Sequence, residues 1–97
     1  MDLYTIRRRN AWASPQELEA AAERSRAEGD KDGSGVRWIR SYVVTEEEGR
    51  LGTVCVYEAE SPEAIRTHAH RAGMPADEIV PVADTVIVRP DPAPVAA

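Results

Sequence analysis

Two Ser-Pro pairs punctuate this chain of 97 residues, and each reads as the opening of a helix: Ser14-Pro15-Gln16-Glu17 and Ser61-Pro62-Glu63. A serine can cap the free amides of a first turn, and a proline loses nothing at the first helical position. In the first pair, Glu17 completes a capping box by reaching back to the Ser14 amide. In the second, Glu63 sits near the positive end of the helix dipole. Gly29 and Gly73 supply the stops. Between and around these helices lie four runs rich in β-formers, Leu3 to Arg8, Val36 to Thr45, Leu51 to Ala59 and Ile79 to Val88.

The order is therefore β-α-β-β-α-β. It predicts an α+β, ferredoxin-like domain, with a four-stranded antiparallel sheet and two helices on one face. Asn10 to Ala13 reads as a loop, residues 30–35 (DKDGSG) as a flexible connection, and EEEG with Arg50 as a hairpin turn. Met74-Pro75 turns the chain into the last strand. Pro81 cannot donate to a ladder, so that strand belongs at a sheet edge or is bulged there. One domain over residues 1–89 and a flexible tail over 90–97 account for the whole sequence.

A sheet covered on one side should alternate apolar and polar residues. These strands do not. One parity of the second strand carries Val36, Trp38, Tyr42 and Val44, the other Ile39 and Val43, and Val86-Ile87-Val88 is apolar on both. Two helices cover one face only, so a second copy of the sheet is expected on the other, giving a homodimer.

Charge and composition narrow the partners. There are 17 acidic against 12 basic residues, which gives a net charge of −5 and speaks against nucleic acid. The one basic cluster, Arg7-Arg8-Arg9, reads as a solvated strand end, with anion binding as the alternative. Cys55 is the only cysteine, so no internal disulfide forms. No apolar run approaches the ~18 residues of a membrane span, and MDLYTIRRR has its charge on the wrong side for a signal peptide. A soluble, cytoplasmic protein is expected. Without a phosphate-binding glycine loop, no nucleotide cofactor is expected either.

His68 is the candidate for chemistry. It falls on the apolar stripe of the second helix with Ala64, Ile65, Ala69 and Ala72, so it should look inward. His70 points roughly 200° away and should face water, so the H-x-H spacing does not chelate on a helix. An inward imidazole is either a packed core group or a ligand or acid–base group in a pocket between the second helix and the sheet. Glu58, at the end of the strand entering that helix, is its candidate partner for a metal. Tyr42 and Tyr57 are candidates to orient a substrate oxygen beside a catalytic His68. Cys55 reads as a small buried hydrophobe. Trp38 and Tyr42 share a strand face as core or interface, and Trp12 can cap a pocket mouth.

WIRSYV (38–43), VYEAESPEAIRTHA (56–69) and RAGMPADEI (71–79) together resemble the DUF4242 family. The likeness spans roughly residues 3 to 89. It implies a small bacterial protein with a ferredoxin-like, dimeric α/β-barrel fold, and nickel or another divalent metal as a possible ligand. His68 matches the histidine of the family's R-x-H-A run, Tyr42 the tyrosine of S-Y-V, and Tyr57 and Glu58 the Y-E-A. Arg7-Arg8-Arg9 stands where many relatives have an acidic residue, and His70 where they often have arginine. The reading is a small dimeric binding protein with a metal near His68 and Glu58. The alternative is a cofactor-independent isomerase, cyclase or monooxygenase acting on a small apolar or aromatic substrate, with His68, Tyr42 and Tyr57 as its catalytic groups.

Overall fold

A computed structural model describes residues 1–94; residues 95–97 of the expected tail lie outside the described residues. The elements run β1 (Asp2–Trp12), α1 (Pro15–Gly29), β2 (Val36–Thr45), a 3₁₀ turn (Glu47–Gly49), β3 (Leu51–Ala59), α2 (Pro62–Ala72) and β4 (Glu78–Pro81). The four strands form one antiparallel sheet in the order β2-β3-β1-β4. This is the ferredoxin-like arrangement, with both helices against one face. The core on that face gathers Tyr4, Ile6, Val36, Cys55, Tyr57, Ala59 and Ile65.

Both helices start as the Ser-Pro pairs dictate. Ser14 accepts from the Glu17 amide and Ser61 from the Ala64 amide. Glu17, however, reaches back one residue further than expected, to the amide of Ala13 at 2.6 Å. Gly73, in the left-handed region at φ 70°, closes α2. At the far end of α1 the cap is Asp30, with Gly29 as the last helical residue.

Three strand boundaries or registers depart from expectation, each for a local reason. First, β1 runs on to Trp12, which pairs with Leu51 across an irregularity after Arg8. Asn10 absorbs the kink at φ 49°, a conformation asparagine tolerates better than most residues. Glu46 clips it: its carboxylate accepts from the Asn10 amide at 2.5 Å and from Arg7 at 2.7 Å. The Asn10 amide first, and Arg7 second, hold that carboxyl below its ordinary value.

Second, β2 carries a bulge at Ile39, between Trp38 opposite Tyr57 and Arg40 opposite Val56. A bulge moves every later side chain to the other face. Trp38, Ser41 and Val43 therefore share the helix face, and Tyr42 turns to the outer one; Trp38 and Tyr42 do not share a face. The Trp38 indole donating to Ser41 Oγ at 2.8 Å marks the new frame.

Third, β4 is an edge strand as expected, but it ends at Pro81 instead of running to Val88. Tyr4 stands opposite Pro81, and Val82 adds one more bond to the Leu3 carbonyl. In that register Ala83 would face Asp2, where β1 starts, so Val86-Ile87-Val88 have no strand of this chain to join. They are 85%, 75% and 78% exposed. Residues 90–94 of the expected tail include Asp91, which bonds Arg40 at 2.9 Å and Tyr42 at 2.6 Å on the outer face.

Gly52 lies where β3 meets the kink of β1. A Cβ there would collide with the Arg8 carbonyl and the Glu46 carboxylate. Backbone cannot swing aside as a flexible side chain can. Gly52→Ala is expected to cost about 1–3 kcal/mol, the usual range for overpacking, seen as a lower urea midpoint at unchanged slope.

Candidate functional site

A cleft of about 560 Å³ opens between α1 and the helix face of β2 and β3. Its origin is the thin inward stripe of α1. Ala21 and Ser25 are buried, Leu18 and Ala22 half-buried, and side chains this small do not fill the space above the strands. Trp12, Leu18, Ala22, Trp38, Val43 and Met74 supply apolar wall. Arg8, Ser41, Thr53, Cys55 and Tyr57 bring the polar groups. The cleft lies under α1, not between the second helix and the sheet where sequence placed a pocket.

Arg8 is the residue that sequence reasoning misplaced most. It is not solvated: it is 2% exposed, among the largest fully buried side chains. Its Nε donates to the Pro75 carbonyl at 2.6 Å and its Nη1 to Cys55 Sγ at 3.2 Å. Its Nη2 has no partner, and neither has the Thr53 hydroxyl. Arg8 and Thr53 are direct cross-strand neighbours, so both side chains leave the sheet on the same face. A buried donor left unmade costs about 1–3 kcal/mol, so the pair is costly to keep. The parity of β1 was the available signal, since Tyr4, Ile6 and Arg8 alternate with outward residues.

A chain of donors converges on Cys55. The Trp38 indole donates to Ser41, and Ser41 donates to Cys55 Sγ at 2.9 Å, where it meets Arg8. Local sequence showed nothing basic beside this cysteine; the β1–β3 register brings the arginine to it. Arg26 also borders the cleft, over the Trp38 ring at 6.0 Å. Neither Arg8 nor Arg26 forms an ion pair among the described residues. Glu19 is the one carboxylate along the lining.

The four sequence candidates separate into two sets. His68 is 3% exposed on the inward face of α2. Its Nε2 bonds the Ser25 carbonyl at 2.9 Å, and its Nδ1 has no partner. Tyr57 lies beside it, ring centres 5.5 Å apart, with its phenol 2.9 Å from Ser25 Oγ and its ring stacked on Trp38. Glu58 and Tyr42 are elsewhere. Glu58 follows Tyr57 on β3, so its side chain leaves by the opposite face, where it pairs with Arg37 at 2.8 Å. Tyr42, turned by the bulge, meets Asp91 there. His70 faces water.

His68 is not among the residues lining the cleft, and no group of three or more His, Cys, Asp or Glu among the described residues could hold a metal ion. Within one chain, the described residues thus bring no such group together around His68. Among the described residues, no helix is long and apolar enough to cross a membrane.

Residues 4–82 match the family described as "Nickel responsive protein SCO4226-like". The chain belongs to this family. A crystal structure of SCO4226 from Streptomyces coelicolor A3(2) superposes with a TM-score of 0.69 at 24% identity, over 87% of this chain and 99% of that one. At that identity the likeness establishes the fold. No curated protein matches the chain.

Burial pushes the Tyr57 phenol up, against a smaller downward pull from the Ser25 hydroxyl. The folded state thus holds this proton more tightly than the unfolded chain. Its stabilising contribution is complete below the ordinary tyrosine value of 10.0 and is lost as pH rises through the higher folded value. Tyr57→Phe should cost about 1 kcal/mol for the lost bond to Ser25 and flatten stability against pH above about 10, measured by urea unfolding across pH 7 to 11.

Proposed function

We propose that the chain is a small homodimeric binding protein with a nickel-related role, and that its ligand site is the cleft beneath α1. One observation carries the binding reading: about 560 Å³ of largely apolar space with polar groups converging on one wall. Small-molecule sites are generally of this size and character. The nickel-related part rests on the family's description and is kept apart from the cleft, because two unpaired guanidinium groups repel a divalent cation. The enzyme alternative loses its acid–base group, as His68 does not border the cleft.

The outer face of the sheet is where a second copy would pack. Tyr42, Val80, Val86, Ile87 and Val88 are exposed there or just beyond it. A wide hollow of about 860 Å³ lies between Leu3, Thr5, Tyr42, Val56 and residues 84–91. Monomers rarely leave this much clustered apolar surface to water, and a two-fold axis sets one such patch against itself. Light scattering at tens of micromolar should give twice the chain mass of 10.6 kDa. The double variant Val86→Asp, Ile87→Asp should run as a monomer; a monomeric wild type removes the dimer.

A metal at His68 is the second reading, favoured by the bare lone pair at Nδ1. Against it stand Glu58 on the far face and the lack, among the described residues, of any group of three or more His, Cys, Asp or Glu able to hold a metal ion. Calorimetric titration of untagged protein with Ni²⁺ should give the same affinity for wild type and His68→Ala. Nickel binding lost in the variant would restore His68 as a ligand.

A further inference from the structure

We propose that the cleft takes a small organic carboxylate, its head group bound by Arg8 Nη2 and Thr53 Oγ1 and its apolar body held between α1 and β2. The inference rests on the cleft being a ligand site and adds the chemical class of the ligand. Two buried side chains that border the cleft, Arg8 at 2% and Thr53 at 3% exposure, each keep one polar atom without a partner. They pair across β1 and β3 and face the same side of the sheet, a setting that suits one group with two adjacent acceptor oxygens. A carboxylate has that shape, and its bond to a guanidinium is charge-assisted.

The same atoms argue for a monoanion. Arg8 already spends Nε on Pro75 and an Nη1 hydrogen on Cys55, so the groups left without a partner are its Nη2 amino group and the Thr53 hydroxyl. A phosphate would bring up to two charges to a single buried guanidinium, where a carboxylate brings one. Arg26 adds positive charge at the same cleft, while Arg40, also on the lining, is already paired with Asp91. Trp12, Leu18, Trp38 and Met74 suit a flat or branched hydrocarbon body.

The test uses matched pairs of acid and amide, from butyrate and butyramide to 1-naphthoate and 1-naphthamide, titrated at pH 7 and constant ionic strength. Binding is read from the indole N–H resonances of Trp12 and Trp38. The acid of at least one pair should bind about tenfold or more tighter than its amide, as a charge-assisted bond implies, and should shift those indoles. Arg8→Gln should abolish the preference. If that variant does not fold, Thr53→Val keeps the guanidinium and should weaken the acid several-fold while leaving the amide unchanged. Acid and amide binding equally, or acid affinity unchanged in Thr53→Val, overturns the carboxylate and leaves the cleft as a ligand site. No member of any pair binding, or binding that leaves both indoles unmoved, overturns the cleft reading and the carboxylate with it.

Discussion

Ser25 is the point at which both helices and the sheet are fastened together. Its carbonyl accepts from His68 on α2, and its hydroxyl bonds Tyr57 on β3. One small residue on α1 thereby satisfies two larger polar side chains in a region otherwise filled by Ile65, Val36 and Tyr4. A polar junction of this kind is tolerable inside a core only when its members are bonded to one another. It sets where α1 rests. With α1 held there and its inward positions occupied by small side chains, the cleft beside it stays open.

The histidine that the sequence singles out is therefore first a structural group, and the arginine that the sequence hides is the unusual one. Arg8 ties β1 to the Pro75 carbonyl, beyond the end of α2, and to the Cys55 sulfur on β3. It does so without a carboxylate. Buried guanidinium groups are normally paired, and here the nearest anchors are a carbonyl and a thiol. The fold spends stability on this arrangement, which is the pattern expected where a site rather than the core has shaped the choice of residue.

Much of the architecture was legible because it is encoded locally. The Ser-Pro starts, the Gly73 stop and the helical phase of His68 need only near neighbours, and all hold in three dimensions. What escaped depends on pairing between distant segments. The bulge at Ile39 leaves no mark in the sequence of β2, yet it decides that Tyr42 faces outward. The end of β4 is decided by where β1 starts, not by the apolar run Val86 to Val88. Glu58 was near His68 along the chain, but strand parity sends it through the sheet. Arg8 sits in a triplet that reads as surface, and only the β1–β3 register shows that it opposes Thr53 and meets Cys55.

The bulge in β2 also binds the two faces of the sheet into a single reading frame. Ser41 and Val43 belong to the cleft, and Tyr42 to the opposite surface, only because one extra residue is looped out after Trp38. Deleting Ile39 would close the ladder and leave both sets where they are, because Ser41 opposite Cys55 and Tyr42 opposite Val54 keep their partners, whereas one further residue inserted between Trp38 and Ser41 would exchange them at once. The bulge thus makes length change in this strand asymmetric: losing its extra residue spares both faces, while gaining another rewrites the lining of the cleft and the outer face together.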